Sequence, residues 1–322
     1  MKKWHSSDRV LSAGVLLCGV IVASVVFQFP ITHSVRADVA TTTVTVSDAA
    51  PVVSAVSLNG GSDITLVEYS SVIATTTFTV SDANGCSDIS AVEARLYRTD
   101  PSTTGTQCAA DDNNCYNEFV ACAVVSSGNT CSGGADTSAD YECAFRLWYV
   151  ADPTDSGAFA SDIWAVAATA TDSGANTGTA TNSAETIEVN TLLAHDVTAT
   201  IAYGSISAGA NTGVTNQIAT ITNTGNAALD TDISGVDMCT DYPTCAGDTI
   251  AETQQKYDLS DETYGSLSFT LSDTPTTRET VLGKPTATTT DITDDTFWGI
   301  AIPSAQASGS YTGVNTFTAV AD

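Results

Sequence analysis

Oxygen-bearing side chains gather at two places in the sequence. In SDANGCSD, Asp82, Asn84 and Asp88 surround a glycine turn; further on, Asp111, Asp112 and Glu118 crowd the span around Cys115 together with Asn113 and Asn114. Carboxylate and amide oxygens spaced in this way are what a hard divalent cation takes, so calcium is the cofactor these residues point to. Neither run is a complete ligand loop: the first lacks a terminal Glu and the second lacks the glycine. The competing account is that both are solvated turns whose Asp and Asn side chains bond their own backbone. No other cofactor is indicated.

Nucleophilic and acid–base chemistry has little to draw on. Of three histidines, His5 and His33 fall in the first 37 residues, which leaves His195 alone, beside an expected linker and expected to face solvent. No Gly-x-Ser-x-Gly elbow accompanies it, and the glycine-containing turns are followed neither by Lys nor by a helix start, as a phosphate-cradling loop requires. Carboxylates are numerous enough for a glycosidase pair, so a carboxylate-based hydrolase is the enzymatic alternative. Most of them sit in turn contexts such as SDANG, ATDSG and TDISG, and the chain is read as a non-enzyme.

Cysteine supplies the remaining chemistry. Setting aside Cys18 leaves eight: Cys86, Cys108, Cys115, Cys122, Cys131 and Cys143 in the first half, Cys239 and Cys245 in the second. An even number in an exported chain reads as disulfides. If each half closes on itself, Cys239 pairs with Cys245 across CTDYPTC, whereas the other six allow fifteen pairings that spacing does not resolve. A zinc site would need closer C-x-x-C pairs or histidines.

Export is itself read from the sequence. MKKWHSSDR precedes a charge-free run from Val10 to Phe29, Pro30 breaks it, and Val35-Arg36-Ala37 offers a peptidase site before Asp38. Left uncut, the run is long enough to anchor the protein in a bilayer. Residues 1–37 hold four of the ten basic residues and one of the 37 acidic ones, so the remainder carries a net charge near −30. Such a surface repels nucleic acid and anionic headgroups and takes divalent cations as natural counterions. Nucleic acid is therefore excluded as a partner, and membrane contact is limited to an uncleaved N-terminal segment. No Asn-x-Ser/Thr sequon occurs, while the Thr-rich runs stay open to O-linked modification.

The elements that must position these residues read as β. From Asp38 onward short β-branched runs alternate with turn residues. In YECAFRLWYV, Tyr141, Cys143, Phe145, Leu147 and Tyr149 share one face; in ISAVEARLYR, Val92, Ala94 and Leu96 do the same. TIAETQQKYDL offers the one helical pattern, with Thr249 and Glu252 placed as a capping box, against a strand as the alternative. The divisions expected are a signal or anchor over 1–37, an extended strand or linker over 38–50, a domain over 51–190 with a cysteine-rich insertion at about 99–140, and a second domain over 191–322. ATTTVTVSDAA at residues 40–50 recurs as ATTTFTVSDAN at 74–84, and both copies read as strands. The later one belongs to a core; the earlier is a remnant or a strand lent to a neighbouring molecule.

Two stretches carry a resemblance. IWAVAATATDSGANTG (163–178), with SAETIEV (183–189) as a final strand, resembles the closing hairpin of bacterial immunoglobulin-like repeats; the S-G-A-N turn is one residue longer than usual, so a bulge is expected. IAYGSISAGANTGVTNQIATITNTGNAALDTDISG (201–235) is similar to immunoglobulin-like domains of bacterial surface proteins, with Tyr203, Gly204, Gly209, Asn223, Gly225, Asn226 and Leu229 at the matching places. The resemblance, to domains of the surface-layer and adhesin type, implies two tandem immunoglobulin-like β-sandwiches after the N-terminal helix, within an all-β chain. It implies a secreted or surface-exposed structural or adhesive protein whose partners are other surface proteins, cell-envelope glycans or copies of itself. The alternative is a glycan- or calcium-binding module that uses the insertion as its recognition loop, with Tyr97, Tyr116 and Trp148 as aromatic contacts.

Overall fold

The computed structural model describes residues 38–99, 111–133, 135–182, 184–198 and 200–322. The expected signal segment and Cys108 lie outside the described residues, as does the side chain of Glu118. The chain divides into two compact units, Met1–Val46 and Ser47–Asp322. In the first, residues 38–46 form no strand, and Val44 and Val46 are exposed. The earlier copy of the repeat is therefore not the strand its pattern predicts: alternation states which face could be buried, and pairing requires a neighbour.

The second unit is all-β, with helical geometry among the described residues confined to single 3-10 turns. Its first half contains β1 (Val52–Leu58), β2 (Ser71–Ser81), β3 (Ile89–Arg98), β4 (Cys115–Ala121), β5 (Ala123–Val124), β6 (Ser138–Trp148), β7 (Trp164–Asp172) and β8 (Thr177–Thr181). These make two four-stranded sheets, ordered β1-β2-β6-β5 and β4-β3-β7-β8. The later copy of the repeat is β2, a central strand paired to β6 in continuous register from Ser71↔Trp148 to Ser81↔Ser138. Its period of two puts Ala74, Thr76, Phe78 and Val80 inside. The buried Thr76 hydroxyl is satisfied by donating to the Ser57 carbonyl at 2.8 Å. Phe145 and Leu147 from the neighbouring β6, and Leu96, Trp164 and Val166 from the other sheet, complete this core, all essentially inaccessible; each large apolar side chain so buried contributes about 1.5–3 kcal/mol.

The second half contains β9 (His195–Val197), β10 (Gln217–Asn223), β11 (Leu229–Gly235), β12 (Met238–Cys239), β13 (Thr249–Ile250), β14 (Gln255–Asp258), β15 (Phe269–Thr270), β16 (Thr276–Leu282), β17 (Thr293–Ile300) and β18 (Asn315–Ala321). Sheets ordered β15-β14-β17-β10-β9 and β16-β11-β18 carry its cores, and β12 pairs with β13 alone. Tyr257 stacks on Trp298 with ring centroids 4.7 Å apart, beside Ile233 and Leu271. The segment with a possible capping box is not an α-helix: Thr249–Ile250 is a strand, Glu252–Gln254 a 3-10 turn and Gln255–Asp258 a strand again. Gln255 and Tyr257 are buried on one side there, a period of two that outweighs the cap.

Two further expectations change. The β7–β8 ladder runs without a register shift, and the extra turn residue is absorbed by Ala175 at φ +66°. Among the described residues 184–189, only isolated bridges form, Ile187 to Trp164 and Val189 to Ile64. The cysteine-rich insertion is knitted into the fold, adding β4 beside β3 and β5 beside β6. Disulfides join Cys86 to Cys131, Cys122 to Cys143 and Cys239 to Cys245; Cys115, fully buried, is disulfide-bonded too.

Candidate metal centre

Three separate stretches of chain meet at one end of the first half. The first is the turn between β2 and β3. Asp82 follows directly on β2, and its Oδ1 accepts the Asn84 amide at 2.7 Å, closing an Asx turn. Gly85, at φ +112°, takes a backbone conformation that side-chain-bearing residues avoid, and a 3-10 turn then carries Asp88 to the start of β3. The Cys86–Cys131 bridge ties this turn to the insertion.

The second stretch is the β7–β8 hairpin. Asp172 accepts the Asn176 amide at 2.8 Å on Oδ1 and the Asn176 Nδ2 at 2.9 Å on Oδ2. Ser173 donates its amide to the Asp88 carbonyl at 2.8 Å and its hydroxyl to Asp88 Oδ1. The third stretch is Ser47–Ala49, from the earlier copy of the repeat. Asn84 holds it from both sides: its Oδ1 accepts the Ala49 amide at 2.8 Å and its Nδ2 donates to the Ser47 carbonyl at 3.3 Å. Asp48 then lies over Gly174, where a Cβ would stand 1.9 Å from the Asp48 Oδ2, and accepts the Asn176 Nδ2 at 3.0 Å.

Carboxylate oxygens of Asp48, Asp88 and Asp172 consequently lie within 4.8 Å of one another. Among the described residues no Lys or Arg forms an ion pair with them. Asp48 is exposed, Asp88 half-buried and Asp172 almost fully buried. The Asp48 carboxyl is held above its ordinary range, by desolvation first and then by the charges of Asp172, Asp88 and Asp82. Asp82 is itself 2% exposed, and its Oδ2 is buried without a hydrogen-bond partner.

Of the predicted residues Asp88 lies in this cluster and Asp82 and Asn84 stand in the turn before it, while Asp48 and Asp172 are candidates that local sequence reasoning missed. The signal for Asp48 was the repeat: Ser-Asp-Ala occurs at the end of both copies, and Asn84 holds Ser47 and Ala49 at the turn that follows the later one. The other predicted run is used differently. Asp111 Oδ1 accepts the amides of Asn113, Asn114 and Cys115, and Asp112 Oδ2 accepts the Thr288 amide and hydroxyl from the second half. Of the proposed aromatic contacts, Tyr97 is buried, the Tyr116 hydroxyl donates to the Asp112 carbonyl at 2.5 Å and accepts the Trp148 amide at 3.1 Å, and Trp148 is half-buried. Burial holds the Tyr116 hydroxyl well above its usual range. A second acidic group, Asp230, Glu279 and Asp322, is exposed or half-buried, and no orphaned buried oxygen accompanies it.

His195 is half-buried rather than solvent-facing, at the start of β9, and its Nε2 has no partner. It lines a shallow depression with Tyr69 and Asp291, where the Tyr69 hydroxyl donates to Asp291 at 3.2 Å. Near this depression the two halves are joined. Asn226, fully buried, donates to the carbonyls of Ala151 at 3.0 Å and Asn190 at 3.1 Å and accepts the Leu192 amide at 2.7 Å. Lys284 from the second half reaches Asp152 at 2.8 Å, and Arg98 holds the same carboxylate at 2.9 Å. The Asn-Thr-Gly-Asn stretch that carries the immunoglobulin-like resemblance is therefore the joint. Neither a protein-family model nor a curated protein matches the sequence.

Proposed function

We propose that the chain is an exported, non-catalytic structural protein of the cell surface, in which two immunoglobulin-like sandwiches, residues 51–190 and 191–322, act in tandem as a spacer, coat component or adhesive module. The observation that carries this reading is the pairing of two disulfide-stapled β-sheet halves through a buried polar joint, a build suited to transmitting position rather than to turning over a substrate. Bridges such as Cys86–Cys131 and Cys122–Cys143 persist in oxidising compartments, which supports the export read from the N-terminal segment. Its partners in this reading are other surface proteins, envelope glycans or copies of itself. Fractionation of the source cells, with sequencing of the N-terminus of the purified protein, tests it. Recovery outside the cytoplasm, with the chain either cut before Asp38 or held in the membrane fraction, is the expected result, and a cytosolic protein with free thiols overturns it.

A further inference from the structure

Where the two halves meet, four stretches of backbone are tied together around the end of β10. The Tyr69 amide donates to the Thr224 carbonyl at 3.1 Å, the Thr224 amide to the Ala194 carbonyl at 3.0 Å and the Asn223 amide to the Ile292 carbonyl at 2.9 Å. The Tyr69 hydroxyl adds its bond to Asp291 Oδ1 at 3.2 Å. These stretches frame the depression already met at His195. Its volume is about 460 Å³, and it is lined by Glu68 and Tyr69 from the first half and by His195, Asp196, Thr224 and Asp291 from the second. That volume lies within the range of about 300–1,000 Å³ that small ligands occupy.

Two of the lining residues carry polar atoms that the protein leaves unmet. Thr224 is 3% exposed, and with its amide and carbonyl both paired only the hydroxyl is left over, buried and without a partner. The His195 Nε2 is buried and unpartnered in the same way. Tyr149, whose ring packs against that of Tyr69 with centroids 5.4 Å apart, adds a third buried hydroxyl without a bond. Each such group gives up solvation that the fold does not return, in contrast to Asn226 two residues further on, whose bonds are all made.

The walls select the chemistry. Glu68, Asp196 and Asp291 are acidic and exposed, and no Lys or Arg lines the depression. An anion is repelled there, and an apolar ligand leaves the hydroxyl and the imidazole unmet. A metal ion needs converging ligands, yet no three of Glu68, His195, Asp196 and Asp291 bring ligand atoms within 4.8 Å of one another; the groups that do so lie elsewhere. Acceptors spread around a cavity of this size suit an organic cation. A primary ammonium has three N–H donors and no acceptor, whereas a hydroxyl, a neutral imidazole and a carboxylate all accept. The Tyr69 ring offers it a π face.

We propose that this depression binds a primary ammonium group, held among the carboxylates of Glu68, Asp196 and Asp291, with the Thr224 Oγ1 and the His195 Nε2 accepting its N–H bonds and Tyr69 beside it. The site goes beyond the surface-protein reading and does not depend on it. An ammonium bound here touches both halves at once. A free diamine and a lysine side chain of another protein both carry the group.

Calorimetric titration of the full chain at constant ionic strength tests the proposal, with 1,4-diaminobutane and Nα-acetyl-lysine amide as probes and 1,4-butanediol as the uncharged control. At least one ammonium should bind saturably at one site and the diol should not; the tighter of the two probes assigns the source. Thr224→Val keeps shape and charge and removes only the spare hydroxyl, so it should weaken binding about tenfold while the thermal midpoint of the ligand-free protein stays level or rises. Glu68→Gln, at an exposed position where folding is not at stake, should weaken binding severalfold. Absence of saturable binding by either probe overturns the proposal. So does affinity undiminished in both variants, the mark of a counterion atmosphere on an acidic surface, or calcium chloride displacing the ammonium at matched ionic strength. A lower ligand-free midpoint in Thr224→Val would assign that hydroxyl to the fold and likewise overturn the site.

Discussion

Asp152 shows how a single residue can organise a joint. Its carboxylate is 2% exposed and lies between Arg98 and Lys284, one cation from each half, while Arg98 also pairs with Asp162. Two acids and two bases balance, and the Lys284 ammonium further donates to the Val150 carbonyl at 2.8 Å. Removing one member of a buried pair strands the other, which costs about 3 kcal/mol. Lys284→Ala should therefore destabilise the protein by about that amount in urea unfolding, and Asp152→Asn combined with Lys284→Met should cost clearly less than the sum of the single changes. Asp140 makes a second, pH-dependent case. Its oxygens accept the Asn129 amide at 2.8 Å and the Thr79 hydroxyl at 2.7 Å, and these bonds hold its carboxyl below the ordinary value of 3.8. A depressed carboxyl contributes while ionised, so the contribution is present above 3.8 and disappears as pH falls through the lower folded value. Amide exchange at Asn129 should stay protected to below pH 3.8 in the native protein and run at the rate of an unprotected amide at every pH in Asp140→Ala.

At the scale of elements, the insertion contributes a strand to each sheet of the first half. β4 and β5 each extend a sheet, and Cys122, between them, is bridged to Cys143 in the centre of β6. Closing that loop stabilises by about 3 kcal/mol. Replacing both cysteines with serine should lower stability by about that amount, and deleting residues 104–135 should collapse the first half rather than leave a folded protein without a ligand, as read by loss of its tertiary circular dichroism. These strands also show what was legible in the sequence. The inward faces of β2, β3 and β6 could be read directly, because a period of two survives wherever one face is buried. The two copies of the repeat share nine residues of eleven and have different fates, one central in a sheet and one unpaired, since alternation says nothing of a neighbour. The acidic cluster was half legible for the same reason. Asp88 stands in a turn that the sequence marks, whereas Asp172 joins it through the antiparallel pairing of Ile89 with Asp172. Asn226 was legible as a motif position without any hint that its side chain would bind the other half.

Across the whole molecule, the joint decides whether the two halves respond together. Asn226 satisfies two carbonyls and one amide around residues 151–192, and Gly225 lets the chains approach so closely that a Cβ would stand 2.1 Å from the Leu192 carbonyl. A polar side chain buried with all its bonds made is costly to remove, because each stranded partner loses about 1–3 kcal/mol of solvation. The native protein should accordingly unfold in one calorimetric transition. Asn226→Ala should split it into two, with the second half melting near its own midpoint, and Gly225→Ala should do so more severely. A native protein that already melts in two steps would show instead that the joint aligns the halves without coupling their stabilities.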